Sequence, residues 1–279
     1  SSGFGLKTGG PKLCLKNKIK DTSLKRSQKN VIFNNSNILF NNSFFSIKKI
    51  WSNNFTQINL TRSFHQRVRS INRIGPHNCD VISVIVGLML GDGYCNVRTG
   101  EGTRICLRQG AIHKEYLFYL YAFFLERGYC SKLEPIQYTR KLNHNGLTKT
   151  HYGYEFNTYT FRSLNWIHKL FYKNGKKIVP LNIEYLITPL TLAVWISDDG
   201  GWANGGVRIA TNEFTLTEVT LLANILRSKF ALDVTIQKIS IENKYSIYIK
   251  KNSVSKLKEI IFPYLNSSRY YKLGLKPKV

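Results

Sequence analysis

The sequence predicts an α+β protein made of two similar units, each with the element order αββαββα. The chain has 279 residues, 43% of them hydrophobic, which is enough for one or two domains with a substantial core. Two apolar stretches end in the same way, at Asp92-Gly93 and at Asp199-Gly200, 107 residues apart. Similar strand and helix patterns follow each stretch in the same order, which indicates an internal repeat.

The first unit opens with an apolar stretch that ends at Leu90-Gly91-Asp92-Gly93 and is typical of a helix buried on all sides. Alternation of apolar and polar residues predicts the strands, and an aromatic run stopped by Gly128 predicts a long helix. After the opening helix, the predicted elements are a strand at 104–109, a helix at 114–126, strands at 136–141 and 152–161, a helix at 164–172 and a basic loop at 176–180.

The second unit repeats this order after its own apolar helix, which ends at Ser197-Asp198-Asp199-Gly200. We therefore place the two units at residues 78–188 and 189–279. The later elements of the second unit are a strand at 207–211, a helix at 218–230, strands at 234–239 and 245–249, a helix at 253–262 and a basic end at 270–273.

Charge and cysteine content narrow the class of protein. The chain has 41 Lys and Arg against 16 Asp and Glu, a net charge of +25, which predicts a polyanionic partner such as nucleic acid. No apolar run reaches the roughly 18–20 residues of a membrane helix, so we expect no membrane partner. The five cysteines include no Cys-x-x-Cys pair, which argues against a zinc site or a disulfide framework.

Residues 1–77 differ in composition from the rest of the chain. The first 75 residues contain fourteen Lys and Arg, a single acid (Asp21) and many Asn and Ser residues without sustained periodicity. We interpret residues 1–77 as a flexible basic extension. A transit peptide, or translation continued from an upstream exon, would give the same composition.

The carboxylates at the two Asp-Gly steps are unusual because each lies at the negative end of a helix dipole. An acid there costs about 0.3–1 kcal/mol, whereas a basic residue would be stabilising. Gly87 and Gly91 lie one turn apart, so the first helix can approach another helix closely. If the two apolar helices pack together, Asp92 and Asp199 meet, and a divalent cation nearby would offset their charge.

The two apolar stretches resemble the signature helices of LAGLIDADG homing endonucleases, in particular the monomeric, double-motif enzymes encoded by organellar group I introns. The stretches read IVGLMLGDG at residues 85–93 and LAVWISDDG at 192–200. Three further segments resemble family landmarks in the right order, and the whole resemblance spans residues from about 80 to 275. These segments are KKIVP at 176–180, YLITP at 185–189 and YKL at 271–273.

The match to the family pattern is imperfect within the two helices. Val194 and Trp195 stand where Gly and Leu are usual, and Met89-Leu90 replaces the acidic step of the first motif. These positions concern helix packing more than chemistry, so we expect departures from symmetry in the helix interface and an intact set of acids.

The resemblance implies both a fold and a site. The signature helices would pack at a pseudo-twofold axis, with one four-stranded antiparallel sheet per unit, the two sheets forming a saddle over DNA. Asp92 and Asp199 would bind the catalytic metal ions, aided by the carbonyl groups of Gly91 and Asp198. Mg²⁺ suits a site of one or two carboxylates completed by phosphate oxygens and water. The basic residues beside the two scissile phosphates would be Lys177 and Lys272.

Strand residues of both units are the candidates for contact with DNA. Arg104, Arg108, Arg208 and Lys238 alternate with apolar neighbours, which predicts that they project from one sheet face. Gln109 and Asn212, near the ends of strands, could orient water at the metals or read adenine. The full set of DNA-binding candidates is Arg98, Arg104, Arg108, Gln109, Arg140, Lys141, Arg208, Asn212 and Lys238.

We therefore predict a site-specific, Mg²⁺-dependent endonuclease that acts as a monomer on double-stranded DNA and initiates intron homing by a double-strand break. The alternative is an RNA maturase that assists group I intron splicing, since the basic extension would also suit intron RNA. A basic ribosome-associated protein would explain the charge but not the paired Asp-Gly helices. An excess of residues with AT-rich codons favours an organellar gene, with the mitochondrion ahead of the chloroplast.

Overall fold

A computed structural model of the chain describes residues 68–98, 102–144, 147–239 and 243–275, which lie within one compact unit, Asn59–Val279. Most of the predicted basic extension, residues 1–67, lies outside the described residues. The first repeat contains α1 (Cys79–Leu90), β1 (Tyr94–Arg98), β2 (Gly102–Gly110), α2 (Lys114–Glu126), β3 (Ile136–His144), β4 (Leu147–Asn157), α3 (Asn165–Phe171), β5 (Tyr172–Lys173) and β6 (Lys176–Lys177).

The second repeat follows the same plan. Its elements are α4 (Pro189–Asp199), β7 (Gly200–Ala203), β8 (Gly206–Ala210), α5 (Leu216–Phe230), β9 (Val234–Lys238), β10 (Tyr245–Ile249) and α6 (Val254–Ile261), followed by a 3₁₀ helix, Ser267–Leu273.

The two four-stranded sheets have equivalent topologies. Their strand orders are β1-β2-β4-β3 and β7-β8-β10-β9, and every pair of neighbouring strands is antiparallel. The predicted α+β architecture with two duplicated units and antiparallel sheets is therefore confirmed. The sequence patterns did not assign β1 and β7, which are short, and they placed the strand at 152–161 too late, since β4 ends at Asn157.

Helices cover one face of each sheet and leave the other open. Leu117, Leu120 and Phe124 of α2 lie three to four residues apart and are buried at 0–1% exposure against the first sheet. Val219, Leu222 and Leu226 of α5 do the same for the second sheet. In β2 and β8 the core side chains alternate with the polar ones, as Ile105 and Ile209 do with Arg104 and Arg208. We call the faces that carry Arg104, Arg108 and Arg208 the open faces.

Helices α1 and α4 cross between the two repeats with their backbones in close contact. A Cβ atom on Gly87 would lie 2.7 Å from Val194 Cβ and 2.8 Å from the carbonyl oxygen of Thr191, so only glycine fits there. Thr191 Oγ1 donates a hydrogen bond to the Ser83 carbonyl oxygen across the interface, at 3.1 Å. The expected asymmetry is present, because Val194 of α4 fills the space that Gly87 leaves on α1.

The last ten residues of the predicted extension contact the first repeat. Arg73 Nη1 donates to the Thr160 carbonyl oxygen at 3.0 Å, and the His77 ring bridges Tyr129 Oη (2.6 Å) and Ser163 Oγ (2.8 Å). Arg73 and His77 therefore anchor the end of the predicted extension to the folded unit. Within the described part of the chain, no helix is both long and apolar enough to cross a bilayer, and Cys79, Cys95, Cys106 and Cys130 are free thiols.

Substituting Gly87 by Ala is expected to lower the free energy of unfolding by about 1–3 kcal/mol, because the added methyl group forces α1 and α4 apart. Urea denaturation measures the change. The control is Gly110→Ala, since a Cβ at Gly110 meets nothing within 4 Å and its φ is −62°. An equal loss in both variants would contradict the close crossing.

Candidate active site

The carboxyl ends of α1 and α4 meet at one point. A Cβ on Gly91 would lie 2.6 Å from Asp198 Cβ, and the Asp92 backbone N–H donates to Asp198 Oδ2 at 3.1 Å. Asp92 and Asp199 both line a cavity of about 290 Å³ at this junction. The predicted meeting of the two acidic helix ends therefore holds.

Gln109 fixes the orientation of the first acid. Its side chain is 8% exposed, and Nε2 donates to Asp92 Oδ2 at 2.8 Å. Asn212, the other polar residue expected near the metals, is exposed and lines the 290 Å³ cavity together with Lys177. The two residues thus flank the acids from different repeats.

Lys177 lies at the end of α1. Its ammonium group donates to the carbonyl oxygens of Gly91 and Gly93, at 2.8 and 2.9 Å. The β5-β6 hairpin, which the sequence analysis treated as a basic loop, carries this lysine, and Val179 N donates to Glu218 Oε1 of the second repeat at 2.8 Å. The hairpin is thereby held between the repeats.

Lys272 occupies the corresponding place at the end of α4. Its ammonium group donates to the Asp198 carbonyl oxygen at 2.5 Å. The 3₁₀ helix Ser267–Leu273 positions it, with Asn266 Oδ1 capping Ser268 N and Leu273 fully buried. Each lysine therefore contacts the helix end of its own repeat.

The electrostatics of the site reflect three carboxylates and two ammonium groups in a small volume. Burial and the carboxylate of Asp92 raise the pKa of Asp199 to about 7, and the same two causes raise the pKa of Asp198 well above its ordinary value. Burial lowers the pKa of Lys177, and burial together with Arg269 lowers the pKa of Lys272 to about 8. The acids thus lie close together, and the positive charge nearby is too small to neutralise them.

The residues present fit a divalent cation that is completed by other ligands. Asp198 Oδ1 is buried and accepts no hydrogen bond from the described residues. Raised carboxylate pKa values and an unsatisfied oxygen both mean that a cation would stabilise the site. Within the described ranges, no group of three or more His, Cys, Asp and Glu side chains could hold an ion alone. Mg²⁺ commonly takes only one or two protein carboxylates and completes its shell with water and phosphate oxygens.

The carbonyl ligands expected from Gly91 and Asp198 are already engaged. Each accepts a hydrogen bond from a lysine, Lys177 in one case and Lys272 in the other. A cation bound to either carbonyl would lie next to an ammonium group. These carbonyl groups are therefore weaker ligand candidates than the side chains of Asp92 and Asp199.

Strand pairing determines which basic residues share the open face of the first sheet. Arg108 pairs across the strands with Glu155, and its Nε donates to Glu155 Oε2 at 2.7 Å. Its guanidinium also lies 4.8 Å from the ring of Tyr138, two residues before Arg140. Side chains alternate along a strand, so Arg98, Arg104, Arg108 and Arg140 share this face, whereas Lys141 lies on the opposite face.

The second sheet departs from the sequence analysis at one position. Arg208 Nη2 donates to Gln237 Oε1 at 3.1 Å, so Gln237 shares the open face with Arg208. Lys238 pairs with Tyr245, which shares one face of β10 with the buried Ile247 and Ile249. Lys238 therefore lies on the helix-covered side of the sheet. The expectation that Lys238 shares a face with Arg208 is therefore wrong, because Lys238 follows Val234 and Ile236 at two-residue spacing and lies on their side of β9.

Two charged residues near the lysines, Glu213 and Arg269, were not predicted. Glu213 lines the 290 Å³ cavity with Lys177. Arg269, 2% exposed, donates through Nη1 to His113 Nδ1 and Tyr271 Oη, both at 3.1 Å. The one sequence signal that could have found them was the position of Arg269, three residues before Lys272.

Comparisons with known proteins agree with this geometry. The sequence matches the model of the LAGLIDADG DNA endonuclease family over residues 82–257. It is 49% identical over 158 residues to the intron-encoded endonuclease ai4 of Dictyostelium discoideum, covering 56% of this chain and 99% of that protein. It is 37% identical over 205 residues to the cytochrome b mRNA maturase bI2 of Debaryomyces hansenii, covering 73% of this chain and 77% of that protein.

A solved structure extends the likeness to the fold. The homing endonuclease I-WcaI, bound to its DNA recognition sequence, is 26% identical and has a TM-score of 0.63, covering 72% of this chain and 88% of that chain. Two acidic helix ends at the centre of duplicated antiparallel sheets define the class of a LAGLIDADG protein. The chain belongs to the LAGLIDADG DNA endonuclease family, which confirms the resemblance found in the sequence.

The raised pKa of Asp199 predicts a pH-dependent stability of the metal-free protein. The unfolded chain loses this proton near pH 4 and the folded chain near pH 7, so the free energy of unfolding falls as pH rises through this window. We expect a slope of about 1 kcal/mol per pH unit, reduced in Asp199→Asn and reduced by added Mg²⁺. Lys272 titrates above this window.

Urea denaturation at a series of pH values between 4 and 8 measures this slope. The control is Glu259→Gln, an exposed acid on α6, which should keep the wild-type slope. A slope in Asp199→Asn equal to that of the wild type would show that this carboxyl group is not held in a crowded acidic site.

Proposed function

We propose that the chain is a homing endonuclease that cuts both strands of a long DNA target in a metal-dependent reaction. The observation that carries this proposal is the shared cavity between the ends of α1 and α4, where Asp92 and Asp199 lie with a lysine at each helix end. One site per strand, both at one point on the duplex, is the arrangement that a double-strand break requires. The related I-WcaI, solved with DNA, supports a DNA partner.

The roles of the residues follow from their contacts. Asp92 and Asp199 would hold the cations, with Gln109 keeping Asp92 in one orientation. A bound divalent ion, with Mg²⁺ as our expectation, would supply an activated water, charge neutralisation and help for the departing oxygen. Lys177 and Lys272 can donate to phosphate oxygens as soon as these displace the carbonyl groups, stabilising the extra negative charge of the transition state.

The open faces of the two sheets supply the DNA contacts in this proposal. They carry Arg98, Arg104, Arg108 and Arg140 in the first repeat and Arg208 with Gln237 in the second. Arginine can pair with two acceptors of guanine or hold a phosphate, and glutamine can read adenine. Lys141 and Lys238, on the other sides of their strands, are weaker candidates.

A maturase function is the second candidate. Its specific support is the 37% identity to cytochrome b mRNA maturases of two yeasts, Debaryomyces hansenii and Saccharomyces cerevisiae. The cytochrome b relatives also support an organellar gene, and we propose the mitochondrion ahead of the chloroplast. Splicing of the host intron RNA with and without the protein tests this candidate independently of DNA cleavage.

Replacing either acid should abolish double-strand cleavage of DNA that contains the joined exons of the intronless host gene. We expect Asp92→Asn and Asp199→Asn to lower the rate of linear product formation in Mg²⁺ by about 10²-fold or more, because each removes a cation ligand. Gel assays of a plasmid carrying this site measure the rate.

The matched control is Asp233→Asn, an acid on the second repeat that pairs with Lys250 and lies outside the cavity. It should cut at the wild-type rate. Full activity of Asp92→Asn, or cleavage by the wild type that persists in excess EDTA, would contradict the proposed site.

The two faces of the second sheet give a test of DNA binding. Arg208→Gln should weaken binding and reduce the slope of log affinity against log salt by about 1, because one phosphate or base contact is lost. Lys238→Gln, with the same change in charge on the other face, should leave both values unchanged. Fluorescence anisotropy between 50 and 200 mM salt measures them, and equal effects of the two substitutions would contradict the assigned face.

A further inference from the structure

The two lysine sites differ in the additional charge that lies beside each lysine. In each repeat the segment after the second strand, 111–113 or 211–215, reaches the site of the other repeat's lysine. The segment after β8 brings Glu213 into the cavity of Lys177. The segment after β2 brings His113 to Arg269, three residues before Lys272. The additional acidic residue is therefore near Lys177, and the additional guanidinium group is near Lys272.

Glu213 adds a negative charge to the Lys177 site. Its side chain is exposed, and it forms no hydrogen bond or ion pair with the described residues. It shares the cavity of about 290 Å³ with Asp92, Lys177 and Asp199. A phosphate entering this cavity would meet the lysine and a second, opposing charge.

Arg269 adds a positive charge to the Lys272 site. The residue is 2% exposed, its guanidinium lies 4.3 Å from the ring centre of Tyr116, and its Nη1 contacts His113 and Tyr271. Its Nε and Nη2 atoms are buried and have no hydrogen-bond partner in the described part of the chain. No carboxylate forms an ion pair with it among the described residues, so its charge adds to that of Lys272.

Cleavage of a phosphodiester develops extra negative charge on the phosphate, so a nearby cation accelerates it and a nearby carboxylate slows it. We propose that Glu213 and Arg269 make the two sites unequal, so that the strand at Lys272 is cut before the strand at Lys177. Both act as positioning residues, through the charge around a lysine rather than by contact with the reacting atoms. The inference rests on the proposed endonuclease function.

The test follows both strands of a supercoiled plasmid with one target, each strand labelled separately, under single-turnover conditions with Mg²⁺. The variants Lys177→Met and Lys272→Met identify which strand each lysine serves, from the strand that each variant still cuts. In the wild type, nicked plasmid should accumulate, with the nick in the strand assigned to Lys272.

Substitution of Glu213 should change only the slower cut. We expect Glu213→Gln to accelerate cleavage of the Lys177 strand about three- to tenfold, the size expected for one charge several ångströms away in a partly hydrated site. Glu213→Asp should keep the wild-type ratio of strand rates, and Glu259→Gln, which removes an exposed acid from α6, should also keep it. Arg269→Lys should preserve the order of cutting, whereas Arg269→Met should slow cleavage of the strand at Lys272.

The outcomes separate this inference from the proposed function. A wild-type protein that cuts neither strand overturns the endonuclease function itself. A wild type that cuts both strands at equal rates, or an unchanged strand ratio in Glu213→Gln, overturns the inference alone. Loss of the Lys177-strand cut in Glu213→Gln also overturns it, because Glu213 would then assist that reaction directly.

Discussion

The backbone contact between α1 and α4 is the constraint on which the site depends. Gly87 lets Val194 and the Thr191 carbonyl approach where a Cβ would clash, and Gly91 does the same for Asp198. Because the helices are this close at their crossing and at their ends, Asp92 and Asp199 open into one cavity. A wider crossing would leave two separate acidic helix ends, each unable to act on the same short stretch of duplex.

The same closeness costs stability. Three carboxylates lie together at the ends of two helices, and burial together with the carboxylate of Asp92 raises the pKa of Asp199 to about 7. Lys177 and Lys272 offset part of this charge by binding the helix-end carbonyl groups. The protein tolerates the remaining repulsion because the surrounding helices and sheets bury a continuous apolar core. A site that is short of positive charge when empty is suited to take up cations together with a phosphate backbone.

The repeat and the pair of acidic helix ends were predictable because their signals are local, whereas the roles of Lys177 and Lys272 were inferred from the family resemblance. Apolar runs that end in Asp-Gly occur twice, and strand alternation is clear around Arg108 and Arg208. Strands β5, β6 and β7 have only two to four residues, too few to show a period, whereas β1 was not assigned although it has five residues, as β8 does. Lys238 was misplaced because neighbouring residues of a strand face opposite sides, and Gln237 rather than Lys238 lies on the side of Arg208. Glu213 and His113 reach the two lysine sites from distant segments that only the folded chain brings together.

The most direct measurement is a crystal structure of the protein with its target DNA and Ca²⁺, which occupies oxygen-ligand sites. The account predicts ions held by Asp92 and Asp199 at phosphates of opposite strands, with DNA across the open faces and both lysine ammonium groups turned toward phosphate. Ions bound elsewhere, or DNA lying on the helix-covered side, would contradict the account.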